Sequence, residues 1–136
     1  MSLKRILLLV AMVLIAFWAG AQDHDRSDCL VKVSSKWGSV CERCEYYTDG
    51  YKRDYSGTFR IELRNTCREI LEVKVAMQEK DGTWRTFPVR ALAPDETLDA
   101  FACRGSGKYL YWVRKADDTE IVLPSDQEIL TEYRSR

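Results

Sequence analysis

Twice between Thr58 and Gln78 the chain alternates between large apolar residues and residues that, Ala76 apart, are polar. Phe59, Ile61 and Leu63 alternate with Arg60, Glu62 and Arg64; Leu71, Val73, Val75 and Met77 alternate with Glu72, Lys74, Ala76 and Gln78. A period of two places each apolar set on one face of an extended strand. One buried face and one wet face is the pattern of antiparallel pairing. Asn65-Thr66-Cys67-Arg68-Glu69 reads as the turn between these strands, and Asp81-Gly82 as a hairpin turn after the second.

Further strands follow from the same reasoning. Cys29–Ser34 is a short strand, and Trp84–Val89 returns from the hairpin with Pro88 marking an edge or an end. Ala93-Pro94-Asp95-Glu96 is a turn, Thr97–Cys103 a strand, and Arg104–Lys108 a glycine-containing turn. Tyr109–Arg114 is an aromatic strand, Asp117-Asp118 a turn and Glu120–Leu123 a last short strand. Tyr109, Tyr111 and Val113 share one face of the aromatic strand, Leu110 and Trp112 the other. With both faces apolar, the expectation is a central strand with Trp112 in the core. Ser125 and Glu128 have capping-box spacing, which predicts a short helix over Asp126–Tyr133. The series of about seven strands predicts an all-β, antiparallel β-sandwich, immunoglobulin-like or similar.

The N-terminus has a different character. Lys4 and Arg5 precede an unbroken apolar run from Ile6 to Trp18, and Ala19-Gly20-Ala21 follows with small residues. This is the pattern of a secretory signal peptide over residues 1–21, cleaved after Ala21. The run is shorter than the roughly 20 residues a spanning helix needs. The expectation is a secreted or periplasmic protein with no membrane anchor after cleavage. At 136 residues, 46% hydrophobic and 31% charged, the chain has room for one globular domain. Within it, residues 22–57 form an N-terminal extension with a short strand and a tyrosine-rich loop. Residues 58–136 form the sandwich core, joined with 29–57 in one domain.

Export implies an oxidising compartment, so the five cysteines Cys29, Cys41, Cys44, Cys67 and Cys103 read first as a disulfide framework. An odd number leaves one free thiol, or one bridge to another chain and hence a disulfide-linked dimer. Cys67 and Cys103 flank strands and are expected to pair with each other, leaving Cys29 to pair with Cys41 or Cys44. Cys41-Glu42-Arg43-Cys44 is a C-x-x-C, but Tyr46, Tyr47, Asp49, Gly50 and Tyr51 follow it without the helical period that thioredoxin-like chemistry requires.

Several function classes drop out. Lys+Arg and Asp+Glu both number 21, so the basic excess of a nucleic-acid binder is missing. The single histidine, His24, lies in the polar N-terminal segment, which removes the imidazole base of Ser-His-Asp or Cys-His catalysis. Gly105-Ser106-Gly107-Lys108 has the ending of a phosphate-binding loop. However, Ala102 stands where the motif needs its first glycine, Tyr109 follows the lysine, and the pattern is strand. No cofactor motif is present. After cleavage at Ala21 the chain would begin Gln22-Asp23-His24, which offers four nitrogens for Cu(II) or Ni(II) unless the glutamine cyclises. The remaining feature is aromatic. Tyr46, Tyr47, Tyr51 and Tyr55 lie in an irregular segment, and loop aromatics on a rigid sandwich commonly carry recognition. The reading is a non-catalytic binding module for a protein or cell-surface ligand. An inhibitor of an extracellular enzyme, and a redox or metal-handling protein using Cys41, Cys44 or His24, are the alternatives.

Overall fold

The structure, a computed structural model, describes residues 26–133. The signal segment and the Gln22-Asp23-His24 triplet lie outside the described residues. Among the described residues a short 3-10 turn, Ser27–Cys29, is followed in chain order by nine strands and one α-helix: β1 Leu30–Trp37, β2 Tyr47–Thr48, β3 Lys52–Arg53, β4 Phe59–Asn65, β5 Leu71–Glu79, β6 Trp84–Thr86, β7 Arg90–Leu92, β8 Thr97–Ala102, β9 Gly105–Lys115 and α1 Asp126–Glu132. One antiparallel sheet has the order β1-β4-β8. In the other, β5 pairs with β9 along one edge and with β6 and β7 along the other. The fold is an all-β antiparallel sandwich, as the alternation requires.

The two alternating strands are the centres of the two sheets. Ile61 and Leu63 of β4 face Leu71, Val73, Val75 and Met77 of β5, all essentially inaccessible, with Leu92, Leu98 and Ala100 closing the same core. Burying a side chain of this size contributes about 1.5–3 kcal/mol, so this layer dominates the stability of the fold. Asn65 ends β4 fully buried, with every polar atom in use. Its Nδ2 donates to the carbonyls of Glu69 (2.7 Å) and Leu92 (3.0 Å), and its Oδ1 accepts from the Cys67 N–H (2.9 Å). Opposite it, Asp95 takes a positive φ of 64° and forms a bulge: its N–H bonds the Asn65 carbonyl, and the Asn65 N–H bonds the Glu96 carbonyl.

Four expectations are corrected. Strand β9 is an edge strand, pairing among the described residues with β5 alone. Its two apolar faces have separate causes: Tyr109, Tyr111 and Val113 face the inter-sheet core, while Leu110 and Trp112 lie under α1 with Ala76, Trp84, Ile129 and Tyr133. Trp112 thus packs in this second cluster and not between the sheets. Residues 105–108 are the start of β9, not a turn, which is confined to Cys103-Arg104. Gly105 and Gly107 serve packing there. A Cβ on Gly105 would come within 2.7 Å of the Phe59 Cβ, and Gly107, at φ 90°, lies under Trp37. Residues 120–123 form no strand, because Arg114 Nη1 takes the Ile121 carbonyl (2.8 Å) and the chain crosses there to the outer face of the second sheet.

The fourth correction is the disulfide pattern: the bonds are Cys29–Cys67 and Cys44–Cys103, and Cys41 is free. The register explains it. Antiparallel pairing of β4 with β8 sets Phe59 beside Ala102 and Arg64 beside Thr97, so Cys67 and Cys103 lie at opposite ends of a strand about 20 Å long. The pairing of β1 with β4, Leu30 beside Asn65, brings Cys29 to Cys67 instead. Cys41 is buried, which seats the odd cysteine inside the fold and away from the surface an interchain bridge would use.

The helix forms where the capping box predicts it. Ser125 Oγ accepts from the Glu128 N–H (3.2 Å) and is 3.2 Å from Glu128 Oε1. Its docking is fixed by Ile129, by the Trp84 Nε1–H bond to the Tyr133 carbonyl (2.8 Å), and by buried Lys74, which donates to Asp126.

Candidate functional site

The irregular segment between β1 and β4 builds a separate feature at one end of the sandwich. Residues 47–53 form a two-stranded hairpin, Tyr47 opposite Arg53 and Thr48 opposite Lys52. Asp49 and Gly50 both take positive φ (55° and 80°), the combination a tight hairpin turn requires and these two residue types tolerate. The hairpin is tied down at its base. The Asp54 N–H bonds the Tyr46 carbonyl (2.7 Å), and Cys44–Cys103 joins the segment to the β8–β9 turn. Beneath it, Cys41, Cys44, Phe101 and Cys103 form a small buried cluster against which Tyr55 and Phe87 pack.

The tyrosines divide. Tyr55 is half-buried against that cluster and accepts from Arg53 Nη1 (3.4 Å), so it serves the scaffold. Tyr46, Tyr47 and Tyr51 remain 41%, 50% and 72% exposed. Trp37, from the end of β1, joins them at 55% exposed, its ring 4.7 Å from Phe59 and against Gly107. Arg104 lies over Tyr46 at 4.3 Å, and Lys52 over Tyr51 at 5.7 Å. Between Trp37 and Arg104 opens a cleft of about 650 Å³, with Asp54, Ser56 and Lys80 on its walls. Ser56 bonds the Asp54 carboxylate and holds it below the usual aspartate range. The arrangement offers flat aromatic area flanked by cations and one carboxylate. Such a surface stacks and hydrogen-bonds a ligand. Trp37 and Arg104 were not among the residues singled out from the sequence. Trp37 stands outside the tyrosine group, and Arg104 reaches Tyr46 because the β8–β9 turn, joined to the segment by Cys44–Cys103 and bonded to Glu79 and Lys80, sets it there.

The other sequence-derived residues scatter. Cys29 and Cys67 lie at the far end of the sandwich. Among the described residues no three His, Cys, Asp or Glu side chains group as metal ligands, and no helix is long and apolar enough to cross a membrane. No protein family matches the chain, and no curated protein or solved structure matches it.

Proposed function

We propose that this protein is an exported, non-catalytic binding module that meets its partner through the aromatic hairpin end. One observation carries the reading: Tyr46, Tyr47 and Tyr51 stand exposed on and beside a hairpin tied at its base by a disulfide and a backbone hydrogen bond, and Trp37 at the end of β1 is exposed at the same end of the sandwich. Large exposed aromatics cost solvation, and a pre-ordered loop loses little entropy on binding. The two disulfides fit an oxidising compartment. A photo-crosslinking amino acid at Tyr51 in the exported protein should give a discrete adduct in the native culture. The same group at Ile70, exposed at the other end, should give none. Equal labelling from both positions would defeat the proposal.

The redox alternative rests on a different observation, the free Cys41 thiol in the same cluster as Cys44–Cys103. Burial there makes the thiol resistant to iodoacetamide until the protein is unfolded. Labelling of the native protein at the rate of an exposed thiol would favour redox chemistry instead.

A further inference from the structure

A second cleft, of about 860 Å³, runs along the side of the sandwich and is bordered by residues 40–43, the segment that leads to the aromatic hairpin. One wall is β8 over residues 97–101; the other is the break between β6 and β7, Phe87-Pro88-Val89, together with Arg90. Both walls are sheet edges. The Phe87 N–H still bonds the Val75 carbonyl of β5 (3.0 Å), the strand pairing resumes at Arg90, and Pro88 between them brings no N–H to the edge.

The register fixes which groups of β8 are free. The Asn65 N–H bond to Glu96, with Leu63 opposite Leu98 and Ile61 opposite Ala100, makes Leu98, Ala100 and Ala102 the residues bonded to β4. The backbone N–H and C=O of Thr97, Asp99 and Phe101 therefore point into the cleft, where no described strand pairs with them. A five-residue strand spaced about 4.8 Å from its neighbour, in a layer about 10 Å deep, displaces roughly 800 Å³. The cleft has that size.

Its charge is equally specific. Arg43 and Arg85 stack on Phe101 at 5.4 and 4.4 Å, and among the described residues neither has a carboxylate in ion-pair range. Arg90 lies 3.9 Å from Glu96, and Arg60, whose Nη2 is 3.6 Å from Asp99, keeps a buried Nε–H without an acceptor. The lining sets Arg43, Arg60 and Arg90 against Glu42 and Asp99, and Arg85 adds a further guanidinium beside Phe101, so the cleft carries a local cationic excess in a chain with no net charge. We infer that the cleft receives an extended segment of a partner protein, added as a strand to β8, with apolar residues turned toward Phe87 and Val89 and acidic residues alternating toward the arginines. A second copy of this chain is a poor occupant. Its own free edge strands carry Lys32 and Lys36 in β1 and Lys108, Arg114 and Lys115 in β9.

The test uses the mature protein and three synthetic peptides: three Val-Glu repeats, three Val-Lys repeats, and the Val-Glu peptide N-methylated at alternate residues. The acidic peptide should slow amide exchange at Thr97, Asp99 and Phe101 by about tenfold or more. Both other peptides should bind at least about tenfold more weakly, as should the acidic peptide to the Arg43→Glu/Arg90→Glu variant, whose changes are on exposed residues. Equal binding of the acidic and basic peptides would overturn the inference, as would undiminished binding of the N-methylated peptide. Protection confined to β1 or β9, absence of binding at millimolar peptide, or concentration-dependent protection of Thr97, Asp99 and Phe101 without peptide would do the same. Because the hairpin takes no part, these results leave the aromatic contact surface to its own crosslinking test.

Discussion

At the end of the sandwich where β1 begins, Cys29–Cys67 lies beside Asn65, whose side chain satisfies two carbonyls and an N–H across three segments. At the opposite end, Cys44–Cys103 ties down a hairpin that leaves three tyrosines and Trp37 in solvent. Both bonds close long loops, with sequence separations of 38 and 59. In chain-entropy terms each is worth roughly 4 kcal/mol. They differ in what they hold. The first fastens the ends of paired strands, where nothing moves without breaking the sheet. The second fastens an appendage to the sheet. A crosslink of one kind can therefore complete a core at one end and present a surface at the other.

That contrast can be broken by substitution. Replacing Cys29 and Cys67 by alanine should lower the urea-unfolding stability by roughly 4 kcal/mol. Asn65→Ala should follow with a loss of about 3 kcal/mol, since it strands one buried and two partly buried backbone groups at once. Replacing Cys44 and Cys103 should cost less, about 2 kcal/mol, because the freed hairpin regains entropy in the native state. Hydrogen exchange should show the loss confined to residues 46–54. Global exchange equal to that of the Cys29/Cys67 variant would erase the distinction between the two ends. Tyr47→Ala with Tyr51→Ala should change stability by less than about 0.5 kcal/mol. A larger loss would move these tyrosines from the contact surface to the scaffold.

The helix offers a pH-dependent counterpart. Hydrogen bonding from Lys74, and then from Thr86, holds the Asp126 carboxyl below the usual aspartate range. A depressed folded value means this contribution is complete above about pH 4 and is lost as pH falls through the folded value. Stability measured from pH 6 to pH 2 should therefore fall less steeply in Lys74→Met than in the parent. At pH 7 that variant should be neutral or slightly more stable, since an apolar chain replaces a buried lysine and leaves its exposed partner Asp126 to water.

Much of the fold was legible. Strict alternation located β4 and β5, Asp81-Gly82 the hairpin after them, and Ser125 with Glu128 the helix start, because each is a local rule acting over a few residues. The aromatic strand was harder. A strand apolar on both faces can lie mid-sheet or at an edge beneath a helix, and nothing within Tyr109–Arg114 distinguishes the two. The site was legible in composition only. The tyrosine group was visible, but its division into exposed Tyr46, Tyr47 and Tyr51 and half-buried Tyr55 depends on the cluster built beneath it by Phe101 and Cys103.

By itself the sequence determined the two central strands β4 and β5, their inward faces and the helix cap, since period-two burial and capping are written in neighbouring residues. Only the tertiary structure decided which cysteines meet, which strand edges stay unpaired and which aromatics reach solvent. Those outcomes follow from the register and order of strands. They are set by how the two apolar faces pack together, and that packing joins residues far apart in the chain.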